Sequence, residues 1–236
     1  MSNNDTKDLS SSSRKEIDAF LDKVKATPLV QTGAGHGRLV FALDATASRE
    51  ATWDHACRIQ GQMFMETTAL GGLEVQLCYY RGFNEFSAST WMNQSEDLLQ
   101  AMNRVHCAGG HTQIEKLLQH AIAETRRQKI NAVVFVGDCL EENADRLCQL
   151  AGQLAIHAVP LFIFHEGGDP VAARAFREMA RITQGAYCPF DAGSAQQLRD
   201  LLSAVAVYAT GGCQALEDFQ QRKGGALLQL MQQSKD

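Results

Sequence analysis

Apolar positions along this chain fall into two patterns, short continuous runs and stripes at helical spacing. Leu39 to Leu43 and Ala132 to Val136 are continuous runs too short for surface helices, and they read as strands buried on both faces. Ile114, Leu117, Leu118, Ala121 and Ile122 instead form one stripe, with Glu115, Lys116, Gln119 and Arg126 facing away, which predicts an amphipathic helix. Ile17, Phe20, Leu21 and Val24 predict a short helix from Ser13 to about Lys25, stopping before Pro28. Trp53, Ala56, Cys57, Met63 and Phe64 predict another from about Arg49 to Met65.

Leu73 to Tyr80 alternates as a strand, the segment Arg81 to Glu85 is a tight turn, and Phe86 to Met92 alternates again. So short a connection excludes a parallel crossover, so the two strands form an antiparallel hairpin with the third strand at a sheet edge. Residues 95 to 105 can form a helix, and Ala144, Leu147, Cys148, Ala151 and Leu154 mark one further on. A strand from Val159 to Phe164 is entered through Pro160. Gly167-Gly168-Asp169-Pro170 is a turn with Asp169 as N-cap and Pro170 at the first helical position; the helix from Val171 to Thr183 stops at Gly185. Ala186 to Phe190 is a last short strand, and Leu198, Leu201, Leu202, Val205 and Tyr208 lie on a final helix. Strands alternating with helices in this order predict an α/β, doubly wound, Rossmann-like sheet. Four regions follow: a disordered polar tail (1–13), a lead-in helix and Gly-rich connection (14–37), the domain (38–210), and an amphipathic extension (211–236) that folds back or meets a partner.

Composition narrows the function classes. The 236 residues, 45% hydrophobic and 21% charged, suffice for one sizeable domain. A net charge of −5 without a dense Lys or Arg run gives no footprint for nucleic acid or an anionic membrane. No apolar run is long enough to span a bilayer and Met1 to Ser13 has no signal-peptide core, so a soluble, cytoplasmic protein is expected. Seven cysteines, an odd number without CxxC pairs, read as small core residues in a reducing compartment. His106-Cys107-Ala108-Gly109-Gly110-His111 lacks the second ligand pair a zinc site needs.

The candidate chemistry lies where the apolar runs end. Asp44 closes the first run and is followed by hydroxyls at Thr46 and Ser48; Asp138 closes the second, after Gly137. Carboxyl ends of strands border the ligand crevice of an open α/β sheet, so both carboxylates share a crevice if the two strands are neighbours. Carboxylates and hydroxyls suit a hard cation. Taken alone, helix capping is the commoner explanation of Asp44, Thr46 or Ser48, and it suffices for Thr112 ahead of the striped helix.

Taken together, the chain resembles a von Willebrand factor type A domain carrying a metal-ion-dependent adhesion site. The matching residues are Asp44, Thr46 and Ser48 (Asp-Ala-Thr-Ala-Ser), Thr112 in Gly-Gly-His-Thr, and Asp138 in Val-Val-Phe-Val-Gly-Asp; Thr46 stands where the family usually has Ser. The likeness runs from about Arg38 to Tyr208. It implies a three-layer fold with a mostly parallel six-stranded sheet in the order 3-2-1-4-5-6, strand three antiparallel at the edge. It also implies a Mg2+ or Mn2+ ion held by those five residues, with an open position for a Glu or Asp side chain of a protein partner. Intracellular members often work within multiprotein assemblies, some beside ring-forming ATPases. The expected role is therefore a metal-dependent interaction module and not an enzyme.

Two other readings remain at this stage. A Mg-dependent phosphoryl hydrolase or transferase would use Asp44 as nucleophile, although Thr46 occupies the place where a second Asp is wanted. A metal-free scaffold of the same fold is the third. Trp53 and Trp91 read as packing residues rather than ligand platforms.

Overall fold

β1 (Gly37–Asp44) is buried along its whole length, and its alternating side chains build a core on each of its two sides. The computed structural model describes residues 19–27, 37–50, 73–190, 204, 205 and 209. The expected terminal tail and extension, and the helix expected to Met65 beyond Glu50, lie outside the described residues.

Five strands join β1: β2 (Leu73–Arg81), β3 (Glu85–Ala88), β4 (Ala132–Gly137), β5 (Leu161–Glu166) and β6 (Tyr187–Phe190). They form a six-stranded sheet in the order β3-β2-β1-β4-β5-β6. All pairings are parallel except β2 with β3, the hairpin at the edge. The helices are α1 (Ser95–Asn103), α2 (Ile114–Arg127), α3 (Ala144–Ile156) and α4 (Pro170–Ile182).

Leu39, Phe41 and Leu43 share one core with Phe20 and Val24 of the helical residues 19–26, with Leu98 and Met102 of α1, and with Ala204, Val205 and Ala209. Val40 and Ala42 share the other with the buried stripes of α2, α3 and α4. A one-residue slip of β1 would exchange the two sets, so the register is fixed from both sides. Helices on both faces make the three-layer, doubly wound architecture that the alternation of elements predicted.

Three boundaries depart from the hydrophobic pattern. β3 ends at Ala88; Ser89 still donates its N–H to Leu77 O at 2.8 Å, and the chain meets β2 again at an antiparallel bridge between Met92 and Val75. β5 starts one residue after Pro160, whose carbonyl accepts from Val133 N at 2.9 Å, and it runs on through His165 and Glu166. Those two polar residues are buried because side-chain partners satisfy them, which a hydropathy pattern cannot register. Asp169 caps α4 as expected, accepting from Val171 N at 2.8 Å, with Pro170 in the first turn. Trp91 packs as expected, under the Arg38 guanidinium at 3.7 Å, and its Nε1 donates to Glu124 at 3.1 Å.

Gly185 follows Gln184, which takes the left-handed φ of 59°, and a Cβ on Gly185 would sit 2.1 Å from the carbonyl oxygen of Leu161. Gly185→Ala is therefore expected to cost roughly 2–3 kcal/mol, read from the urea midpoint, because backbone and not a flexible side chain must yield. A second expectation concerns His120, whose Nε2 lies 2.8 Å from Gln76 Oε1 and donates to it. Burial pushes its imidazole down, Glu124 pulls it back and Arg127 pushes it down again. The unfolded chain then binds the proton first, so stability is full above the ordinary value of 6.5 and falls as pH drops through it. Melting temperature should decline on acidification through that window, and the decline should be shallower in His120→Gln.

Candidate metal centre

Leu43 pairs with Val136, so Asp44 directly follows the last shared rung of β1 and β4, and Asp138 stands two residues beyond it. Adjacency of strands distant in sequence thus brings the two carboxylates to one edge. One ligand atom each from Asp44, Asp138 and Cys139 lies within 4.8 Å of the others, a group able to hold a metal ion. Asp44 is buried; Asp138 and Cys139 are partly so.

Both oxygens of Asp44 are engaged. Oδ1 accepts from Thr46 N at 2.8 Å, and Oδ2 accepts from the Tyr80 hydroxyl at 2.9 Å. Burial holds the Asp44 carboxyl above its ordinary value; hydrogen bonds from Thr46 and the charge of Arg49 work against this, and Asp138 adds to it. Burial and the neighbouring Asp44 push the Tyr80 phenol well up, so Tyr80 stays a hydroxyl donor. On the other carboxylate, Asp138 Oδ1 is shut off from solvent with no hydrogen-bond partner among the described residues. A carboxylate oxygen in that situation carries a desolvation cost that a cation would offset.

The hydroxyls of Thr46 and Ser48 lie 3.0 Å apart, Thr46 buried and Ser48 exposed. Thr46 sits at the N-cap position of the turn Ala47–Arg49 but makes no capping bond there, and the longer helix expected to follow lies outside the described residues. Ala108 pairs with Thr46, and its N–H donates to Ala45 O at 3.1 Å, which runs the loop toward Thr112 along the Asp44 turn. Gly110 passes so close to the β2–β3 hairpin that a Cβ there would meet the carbonyl oxygen of Gly82 at 1.9 Å.

Thr112 does not cap α2 either. Gln113 holds the N-cap position without a side-chain bond, and the first-turn donors Ile114 N and Glu115 N go to the Glu142 carboxylate at 2.6 and 2.8 Å. Thr112 is instead clasped by Glu141, donating its N–H to Oε2 at 2.9 Å and accepting from Glu141 N at 3.0 Å. The loop carrying Asp138 is thereby joined to the one carrying Thr112. Glu142 serves the helix N-terminus, where a carboxylate is favoured by the dipole and by the free N–H groups.

Several contributors to this edge escaped the sequence reading. Arg49, expected only as the start of a helix, is buried, and its Nη1 donates to Asp44 O at 2.8 Å. Its Nε donates to Glu166 Oε2 at 2.9 Å, so one guanidinium ties the ends of β1 and β5. His165 Nε2 donates to Asp138 O at 3.0 Å while its Nδ1 accepts from the Tyr187 hydroxyl at 2.9 Å, the arrangement of a neutral ring, and burial lowers its pKa. Cys139 had only its place beside Asp138 to betray it. Its thiol is pushed up to about 12, by burial first and then by Asp138 and Asp44. His106, Cys107 and His111 form no metal-binding group among the described residues.

Glu166→Gln should destabilise the fold by about 3–5 kcal/mol, since it removes the carboxylate charge held 2.9 Å from the buried Arg49 guanidinium. Chemical denaturation of the two proteins measures the difference.

No protein-family model matches the chain, and no curated protein matches it. Solved structures do. The SpRpn10 VWA domain is 17% identical, with 71% of this chain and 94% of that one covered at a TM-score of 0.58. An aerotolerance-related membrane protein from Bacteroides fragilis is 15% identical, covering 71% and 98% at a TM-score of 0.55. The pilus adhesin SpaC from Lactobacillus rhamnosus GG is 12% identical, covering 76% and 30% at 0.57. With its strand order and helices on both faces, the chain has a fold like that of a von Willebrand factor type A domain.

Proposed function

We propose that this chain is a protein-interaction module whose docking centre is a divalent cation held at the Asp44–Asp138 edge. The observation that carries the reading is the convergence of those two carboxylates, with Asp138 Oδ1 buried and unpartnered. Asp44, Thr46, Ser48, Thr112 and Asp138 would supply the oxygens, and such a set suits Mg2+ or Mn2+, which keep water in part of their shell. When bound, the ion supplies a Lewis-acidic position that a Glu or Asp side chain of a partner can occupy. Hydroxyl ligands bring no charge, so only Asp44 and Asp138 offset the ion and a partner's carboxylate can join the shell without a third anionic ligand of the chain to repel it. Phe83, 77% exposed with its ring 5.3 Å from that of His111, offers an apolar contact on the neighbouring hairpin turn.

The chain's own residues position this edge and do no chemistry on a substrate. Arg49 fixes the end of β1, Glu141 clasps Thr112, and Tyr80 donates to Asp44. Asp44 is buried, which shields it from an external phosphoester and weighs against phosphoryl transfer. Among the described residues no helix is long and apolar enough to cross a membrane. A cytoplasmic setting within a multiprotein assembly belongs to the same proposal, supported by the buried thiol of Cys78 and by the resemblance.

Calorimetric titration with Mn2+ and Mg2+ tests the reading. Saturable binding is expected, weakened by on the order of ten-fold or more in Asp138→Ala, together with a cation-dependent rise in melting temperature. Absence of binding in the folded wild-type protein would overturn it.

A further inference from the structure

The donor set at this edge is not purely oxygen. Cys139 follows Asp138 directly at the end of β4, and its Sγ lies within 4.8 Å of carboxylate oxygens from both Asp44 and Asp138. Asp138 Oδ1, already unpartnered and shut off from solvent, is the second mark of a missing ligand at the same spot. Oxygen donors select Mg2+ and Mn2+, whereas a thiolate among them favours the later, softer divalent ions. We propose that Cys139 Sγ is an additional ligand of this centre, and that it gives the centre a preference for a thiolate-accepting transition ion such as Zn2+ or Co2+ over Mg2+.

The proposal rests on the reading that the edge binds a divalent cation and adds which cation it selects. On binding, the S–H bond breaks, its proton passes to solvent, and the sulfur lone pair forms the bond to the metal; no oxidant or reductant takes part. The two carboxylates balance a divalent ion, so a thiolate added to them leaves surplus negative charge. That form of the centre is a poorer acceptor for an acidic partner than the Mg2+ form.

Cobalt reads the ligand directly, because a thiolate bound to Co2+ gives an intense near-ultraviolet charge-transfer band that oxygen ligands do not. Titrating the full chain with Co2+ is expected to produce the band, and Cys139→Ser is expected to abolish it with an unchanged circular-dichroism spectrum. Zn2+ should displace Co2+ readily and Mg2+ poorly. The same substitution should weaken Zn2+ by on the order of ten-fold or more and leave Mg2+ nearly unaltered. A measurement free of any variant is protection of Cys139 from alkylation by Zn2+, read by peptide mass. Co2+ and Mg2+ binding without the band, or a band that survives Cys139→Ser, would overturn the inference while the docking function stood. Failure of Mg2+, Mn2+ and Co2+ alike would overturn both.

Discussion

Parallel pairing of β1 with β4 is the constraint on which this molecule depends. Their residues are separated by the whole of β2, β3, α1 and α2, yet the pairing sets Leu43 against Val136 and delivers a carboxylate from each strand to the same edge. Apolar residues on both faces hold that register: a shift by one would turn Phe41 and Leu43 from the face they share with Phe162 and Phe164 toward the stripes of α2 and α3. Placement of the charged groups is therefore a by-product of burying the uncharged ones.

The edge itself is held by polar groups that would be costly to bury singly. Arg49 is matched by Glu166 and by the carbonyl of Asp44, His165 by Tyr187 and the carbonyl of Asp138, and Asp44 by Thr46 and Tyr80. Satisfied in this way they make a stiff floor. Asp138 Oδ1 stands out from this rule. Glu141 and Glu142 extend the same logic outward, one to Thr112 and one to the start of α2.

Much of this was legible in the sequence, and the limits have physical causes. Continuous apolar runs reveal buried parallel strands because both faces are covered, which is why β1 and β4 and the carboxylates beyond them stand out. The hairpin followed from a connection too short to cross over. Periodicity says nothing, however, of buried polar residues whose partners come from elsewhere in the chain, so Arg49, His165 and Glu166 were invisible. Thr112 showed the same limit in reverse: its place before a helix suggested a cap, but the capping carboxylate is Glu142, from a loop 28 residues beyond Ile114. Local spacing cannot disclose a bond made across that distance. The likeness to von Willebrand factor type A domains rests on fold, since identity to the solved structures is as low as 12–17%.

Both outermost strands, β3 and β6, are only four residues long, and β6 contains Pro189, which has no N–H to give. Recruitment by strand addition, in which a visiting peptide lengthens a sheet rung by rung, needs a longer row of unpaired backbone groups than either margin offers. A partner of the kind proposed above is therefore met by side chains and loops at the ends of the strands, and not by the sheet margins that the described residues form.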